Sequence, residues 1–131
     1  MSRDDAPSIR IAVVDDDAAA RRMMRRALER RGFEVVEAPN GRAGVDLVTA
    51  GGVSVLLIDM RMPGELNGLD VARELRADPR TSAVHIVMVS ASARSELLGR
   101  HDTAVCDAFL TKPVDFEQLE ATIRAVLATG E

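Results

Sequence analysis

Apolar runs of strand length alternate five times with segments of helical periodicity along this chain. The runs cover residues 9–14, 33–38, 53–58, 84–89 and 108–110. The third run is apolar except for Ser54, which is typical of a strand that is buried on both faces. When each strand is followed by a helix, the strands pair with one another in parallel, because every crossover is helical and right-handed. The alternation therefore predicts an α/β fold with a five-stranded parallel sheet between layers of helices.

Five helices are expected, and they begin near Ala18, Asn40, Leu69, Ala93 and Asp115. The first is expected to be capped by Asp17 and to end before Gly32. The fourth, residues 93–103, has few apolar side chains and is expected to pack loosely. The fifth begins with a capping-box spacing, because Gln118 follows Asp115 by three positions.

The length of 131 residues fits a single domain, and the pattern contains no repeat and no linker. We expect one domain over residues 1–131, with its core at about 9–127 and no effector domain. No apolar run approaches the ~20 residues of a membrane span, and the start of the chain lacks a signal peptide's apolar stretch. A single cysteine, Cys106, is typical of a reducing compartment, so we expect a cytoplasmic protein without membrane insertion.

Charge and aromatic content argue against nucleic acid as a direct partner. Lys and Arg total 17 against 21 Asp and Glu, which gives a net charge of -4, and the chain has no Trp or Tyr. Nucleic-acid binders usually have a basic balance, and single-strand binders add stacking aromatics. Every positive side chain is Arg except Lys112. This lone lysine indicates either a coding bias toward Arg or a position that needs a compact point charge.

Polar side chains follow four of the predicted strands, and the carboxyl ends of parallel strands meet at one edge of a sheet. These side chains are Asp15, Asp16, Asp17, Asp59, Ser90 and Lys112. The second strand ends in Ala38–Pro39 and is expected to contribute no chemistry. Crowded carboxylates repel one another unless a cation lies between them, and hard oxygen ligands open to solvent suit Mg²⁺. A hydroxyl and an ammonium group at the same edge suit a phosphoryl group, which a carboxylate can accept as an acyl phosphate.

Four segments carry a resemblance to a known family. IAVVDDD, LLIDMRMP, MVSAS and FLTKP resemble the motifs of the receiver domain of two-component response regulators, in the right order and spacing from about Ile9 to Leu127. The resemblance implies a flavodoxin-like, doubly wound sheet with strand order 2-1-3-4-5. It also implies transfer of a phosphoryl group from a sensor histidine kinase or a histidine phosphotransfer protein.

The resemblance further implies roles for individual residues. Asp59 is the expected phosphoacceptor, with Ser90 and Lys112 beside the phosphoryl group. Mg²⁺ or Mn²⁺ is expected to be held by three side chains and one backbone carbonyl, those of Asp15, Asp16, Asp59 and Arg61 respectively. We expect no enzymatic activity beyond self-phosphorylation from phosphodonors and autodephosphorylation.

Signalling residues are implied as well. The Lys112–Pro113 bond is expected to be cis, and Phe109 stands at an aromatic switch position that is often Tyr. A downstream protein is expected to bind the face formed by the fourth helix, the fifth strand and the fifth helix. Arg61 and Ser92 are predicted to face the phosphoryl group and to favour a long lifetime, because Arg61 can exclude the attacking water and Ser92 is too short to position it.

Two other functions compete with this interpretation. A haloacid-dehalogenase-type phosphatase would use Asp15 of the triple aspartate as its nucleophile, although no cap domain is evident. A receiver-like interaction module would never be phosphorylated. Helix one adds a partner hypothesis, because its six arginines against one glutamate give a local charge of +5. That face is either simply solvated or the docking site for an acidic helical surface on the phosphodonor, and Arg21 and Arg25 are the residues chosen to test it.

Overall fold

The computed structural model describes residues 9–60, 67–90 and 105–129. The strands are β1 (Arg10–Val14), β2 (Glu34–Ala38), β3 (Val55–Asp59), β4 (His85–Ser90) and β5 (Ala108–Thr111). The helices are α1 (Ala18–Arg30), α2 (Gly41–Thr49), α3 (Gly68–Ala77) and α4 (Phe116–Thr129). The predicted fourth helix, residues 93–103, lies outside the described ranges, so the predicted fifth helix is α4 here.

All five strands form one parallel sheet with the order β2-β1-β3-β4-β5. The predicted strand order is therefore confirmed. The register brings Val14 level with Ala38 and with Ile58, and Asp59 level with Val89. The carboxyl ends of β1, β2 and β3 consequently lie at the same edge of the sheet.

Both faces of the sheet are buried. Residues of β1 and β3 alternate between two apolar clusters, as successive side chains of a strand must. One cluster lies under α2 and α3 and includes Ala12, Val14, Leu56, Ile58, Val71 and Leu75. The other lies under α1 and α4 and includes Ile11, Val13, Leu28, Leu57, Leu119 and Ile123. This two-sided burial is why β3 and β4 are largely apolar without alternation.

Capping side chains set the beginnings of the helices. The Asp17 carboxylate accepts hydrogen bonds from the backbone N–H groups of Ala19 and Ala20, which confirms it as the cap of α1. Asn40 caps α2, and a full capping box between Asn67 and Asp70, which the sequence analysis missed, begins α3. Each cap fixes where the chain leaves the carboxyl edge of the sheet and enters a helix.

Several boundaries differ from the sequence prediction. β3 begins at Val55 rather than at residue 53 and extends through Asp59, because Asp59 pairs with Val89 in β4. β4 likewise extends through Ser90. The polar side chains predicted to follow these strands are thus their last residues. No helix in the described part of the chain is long and apolar enough to cross a membrane.

Candidate functional site

Three carboxylates meet at the carboxyl edge of the sheet. Each of Asp15, Asp16 and Asp59 offers one oxygen, and these oxygens all lie within 4.8 Å of one another. Asp15 follows β1 directly and is 5% exposed, and Asp59 ends β3 and is 7% exposed. Asp16 is exposed to solvent. The predicted meeting of these three side chains is confirmed, whereas Asp17 serves as the cap of α1.

The Asp15 carboxyl group is in an unfavourable place for a negative charge. Burial raises its pKa above the ordinary value, and the nearby charges of Asp59 and Asp16 add to this effect. A hydrogen bond from the Asp17 N–H to Asp15 Oδ1, 2.9 Å long, opposes the shift, as does the charge of Lys112. Such repulsion between carboxylates is what a cation at this point would relieve.

Lys112 is the one ammonium group of the site. Its Nζ lies 2.6 Å from Asp59 Oδ2, and its backbone N–H donates to the carbonyl of Ser90. Burial alone lowers the pKa of Lys112, but the hydrogen bond to Asp59 and the surrounding carboxylates outweigh it and raise the pKa. The only lysine of the chain therefore stays charged and contacts one particular carboxylate. This contact favours the functional interpretation of Lys112 over coding bias.

The remaining predicted residues lie around this centre. Ser90 is buried at the end of β4, level with Thr111 of β5. Phe109 is half-buried and packs against the cluster under α2 and α3. The Lys112–Pro113 peptide bond is cis. Arg61 and Ser92 fall outside the described residues, and so does the predicted carbonyl ligand.

Sequence reasoning missed a contribution from β2. Its residue Glu37 forms an ion pair with Arg21 of α1, and Arg21 also donates to the backbone carbonyl of Asp15. The expectation that the strand's end at Ala38–Pro39 contributes no chemistry stays a prediction, but β2 does contribute this contact through Glu37, one residue before its end. The run contains two acidic residues, Glu34 and Glu37, and the available signal was the position of Glu37 next to the edge where the site lies.

The donor set fits a hard divalent cation. Three carboxylate oxygens converge, and only one ammonium group partly balances their charge. Carboxylates that are few and partly open to solvent are the ligands with which Mg²⁺ keeps several waters. A phosphoryl group on one of these carboxylates would lie opposite the cation. Lys112 would then provide a positive counter-charge for it. The acidic pocket thus fits a phosphoacceptor aspartate site.

A five-stranded parallel sheet with the order 2-1-3-4-5 and such a pocket at its carboxyl edge defines a class of phosphoacceptor signalling domain. The sequence profile of the response regulator receiver domain matches residues 11–124, and the chain belongs to this family. Receiver domains belong to two-component systems and are generally signalling domains rather than enzymes.

Individual relatives agree with the family. The chain is 39% identical to the protein PilH of Pseudomonas aeruginosa over 121 residues, which cover 91% of this chain and 98% of PilH. It is 37% identical to the response regulator MprA of Mycolicibacterium vanbaalenii but spans only 50% of that longer protein. The crystal structure of the response regulator TrrA from Thermotoga maritima, in complex with Mg²⁺-BeF, has a TM-score of 0.80 and 26% identity, covering 90% of this chain and 98% of TrrA.

Proposed function

We propose that Asp59 accepts a phosphoryl group from a sensor histidine kinase or a histidine phosphotransfer protein, with Mg²⁺ or Mn²⁺ as the required cation. The observation that carries this proposal is the contact between Lys112 Nζ and Asp59 Oδ2, 2.6 Å long, beside the carboxylates of Asp15 and Asp16. Of the three clustered acids, Asp59 is the one that an ammonium group neutralises directly. An oxygen of Asp59 can therefore bond to phosphorus while the positive charge of Lys112 stabilises the negative charge next to it.

The proposed reaction moves one phosphoryl group from an oxygen or nitrogen atom of the donor to an oxygen of Asp59. An Asp59 carboxylate oxygen attacks phosphorus, the bond from phosphorus to the donor breaks, and an acyl phosphate forms. The leaving group is acetate when acetyl phosphate is the donor, and a histidine imidazole, which takes up a proton, when the donor is a protein. Lys112 and the Ser90 hydroxyl are proposed to contact the transferred oxygens.

Three carboxylates would hold the cation, those of Asp15, Asp16 and Asp59, together with the carbonyl of Arg61. The bound cation supplies positive charge that offsets repulsion between the incoming phosphoryl group and the acidic pocket. The complex of TrrA with Mg²⁺-BeF supports a divalent cation in this pocket, because that response regulator holds Mg²⁺ together with BeF.

Labelling by acetyl phosphate tests the proposal directly. The wild type should gain the mass of one phosphoryl group in the presence of Mg²⁺ and not in EDTA, and Asp59→Asn should gain none. Peptide mapping should place the label on Asp59. A label on Asp15 would support the phosphatase alternative, and a wild type that takes no label would support the unphosphorylated interaction module.

The phosphodonor is proposed to dock on the outer face of α1. The structure changes which arginines belong to this face, because Arg21, Arg25 and Arg31 are in ion pairs within the protein. Arg22, Arg26 and Arg30, together with the paired Arg31, line a groove whose other lining residues are Ala19, Ala27, Phe116 and the 59% exposed Met23. A basic stripe beside exposed apolar side chains fits an acidic amphipathic helix.

Charge reversal on the groove tests the docking proposal. Arg22→Glu with Arg26→Glu should slow transfer from the cognate donor about tenfold or more at low salt, with less effect as salt rises. Arg22→Lys with Arg26→Lys keeps the charge and is the matched control. Transfer from acetyl phosphate should be the same in all three proteins. Equal slowing with acetyl phosphate would show that the substitutions damage the site rather than docking.

The output of the domain is proposed to be a change in protein–protein contacts. Its predicted surface combines residues 93–103 with β5 and α4. Phe109 of β5 packs against the core under α2 and α3. Within this proposal the roles of Arg61 and Ser92 in phosphoryl lifetime stay predictions. The cytoplasmic location also stays a prediction.

A further inference from the structure

The side chain of Arg21 joins the ends of two strands to the first helix. Its Nε donates to Glu37 Oε1 at 3.0 Å, and its Nη1 donates to the backbone carbonyl of Asp15 at 2.8 Å. The side chain is only 16% exposed, and that of Glu37 is 21% exposed. A partly buried guanidinium with two fixed acceptors differs from a surface ion pair, because the planar group fixes the directions of both hydrogen bonds at once.

Glu37 is itself held from a second side. Arg25 Nη1 donates to Glu37 Oε2 at 2.9 Å, so each carboxylate oxygen has an arginine partner. The hydrogen bond from Arg25 is the main cause of the lowered pKa of Glu37, with that from Arg21 acting in the same direction. The charge of Arg21 is thus balanced by a permanent carboxylate. Its influence on the acidic pocket must come from geometry more than from long-range attraction.

The carbonyl that Arg21 binds belongs to the peptide unit between Asp15 and Asp16. Successive side chains in an extended chain point in opposite directions, so both carboxylates reach one point only if this peptide unit is turned. The chain does bend at Asp16, and the N–H of Asp15 is held by the carbonyl of Ala38. Arg21 provides the hydrogen bond on the carbonyl side of Asp15.

We propose that Arg21 is a positioning residue which, held by Glu37, keeps the carboxylates of Asp15 and Asp16 in the arrangement that binds the divalent cation. This inference rests on the proposed function, because it assumes that the acidic pocket takes up Mg²⁺. Removal of a group that orients metal ligands without touching the metal typically changes the affinity for the metal by about 10- to 100-fold. Arg21→Gln is therefore expected to raise the Kd for Mg²⁺ by about tenfold or more.

The Kd should be measured by titrating isotope-labelled protein with Mg²⁺ and following backbone amide resonances, since the chain has no Trp to report binding. Arg10→Gln is the matched control, because Arg10 forms an ion pair with Glu34 between the same two strands, β1 and β2, at the ends opposite the site. The control should keep the wild-type Kd. Glu37→Gln keeps one acceptor oxygen for Arg21 and should weaken binding less than Arg21→Gln does.

Measurements without metal separate positioning from general stability. If Arg21 only stabilised the fold, Arg21→Gln would lower the urea midpoint in EDTA and leave the Kd of the folded protein unchanged. Should Arg21→Gln not fold, Glu37→Ala serves instead, with an expected rise in Kd of about threefold or more, since Arg21 then loses its carboxylate. The double variant Arg21→Gln with Glu37→Gln should bind no more weakly than Arg21→Gln alone, because the two residues act in series.

The outcomes distinguish this inference from the function on which it rests. A wild type that binds Mg²⁺ while Arg21→Gln binds within twofold of it overturns the role of Arg21 and leaves the proposed function standing. A wild type that binds no Mg²⁺ overturns both. A raised Kd together with normal labelling by acetyl phosphate at saturating Mg²⁺ supports positioning, because the phosphoacceptor itself is then intact.

Discussion

At the scale of single residues, the site combines groups that the fold alone does not favour. Asp15 is a buried acid whose pKa is raised by burial and by its acidic neighbours, and only the Asp17 N–H and Lys112 oppose that shift. Buried charges of this kind cost stability unless they are paired. Their presence at one sheet edge is therefore explained by function rather than by folding.

The raised pKa of Asp15 predicts a pH-dependent gain in stability for Asp15→Asn without metal. The unfolded chain releases this proton at a lower pH than the folded chain does, so wild-type stability falls as pH rises through that interval. At neutral pH the Asn variant should have a higher urea midpoint than the wild type, because the repulsive charge is gone. Its side-chain oxygen can still accept the Asp17 N–H.

Urea unfolding in EDTA at several pH values checks this prediction. The advantage of Asp15→Asn should shrink as pH falls through the folded-state pKa and vanish below the ordinary value of 3.8. Added Mg²⁺ should reverse the order of stability, because only the wild type keeps all three carboxylates. An advantage that does not depend on pH would show that Asp15 charge is not its cause.

At the scale of elements, the start of α3 is pressed against the end of β3. A Cβ at Gly68 would lie 2.8 Å from the backbone oxygen of Asp59 and 2.8 Å from Met60 Cα. The Gly68 N–H also donates to the carbonyl of Met60. The backbone that carries the proposed phosphoacceptor is thus in direct contact with α3, where only the absence of a side chain allows the approach.

Gly68→Ala is therefore expected to lower both stability and phosphorylation. Overpacking typically costs about 1–3 kcal/mol, which exceeds the roughly 1 kcal/mol that Ala gains over Gly in a helix. Because the clash falls on the backbone of Asp59 and Met60, labelling by acetyl phosphate should slow several-fold. Urea unfolding and the initial labelling rate measure the two effects.

Gly44→Ala is the matched control for this prediction. A Cβ at Gly44 would lie 2.8 Å from Val14 Cγ2, so the clash involves a side chain in the core under α2. Stability should fall by a similar amount, about 1–3 kcal/mol, while the labelling rate of the folded protein stays near that of the wild type. If both variants slowed labelling equally, loss of stability alone would account for the result.

At the scale of the whole molecule, the proposed cation binding would be coupled to folding. The proposed ligands come from the ends of β1 and β3, which are neighbours only in the folded sheet. A cation that binds the folded chain and not the unfolded chain stabilises it by mass action. The gain is about 2.7 kcal/mol when the free cation is at 100 times its Kd.

Asp16→Asn is predicted to abolish this gain while leaving the metal-free protein intact. Asp16 is exposed, so its substitution removes a ligand without opening a cavity in the core. Thermal unfolding with Mg²⁺, compared with KCl of equal ionic strength, measures the effect. A Mg²⁺-induced rise in Tm that is as large in Asp16→Asn as in the wild type would place the cation elsewhere.

Much of this architecture follows from sequence because it depends on local patterns. Apolar runs of strand length separated by helical periodicity led to the parallel sheet, and the resemblance supplied its strand order. The position of Asp59 after a buried run marked it as unusual, and Asp17 was recognised as a cap because capping is a local interaction. Boundaries do not follow from local patterns in the same way, since the length of β3 depends on its pairing with β4.

The sequence by itself determined which side chains arrive at the carboxyl edge, because every strand of a parallel sheet ends there. Only the tertiary structure decided which of them touch: Lys112 contacts Asp59, and Arg21 contacts both Glu37 and the carbonyl of Asp15. It also divided the arginines of α1 into those paired inside the protein and those lining the outer groove. Such contacts join elements that are distant in the chain, so they depend on how the helices pack on the sheet. The periodicity of the sequence carries no information about which side chains of distant elements point toward one another.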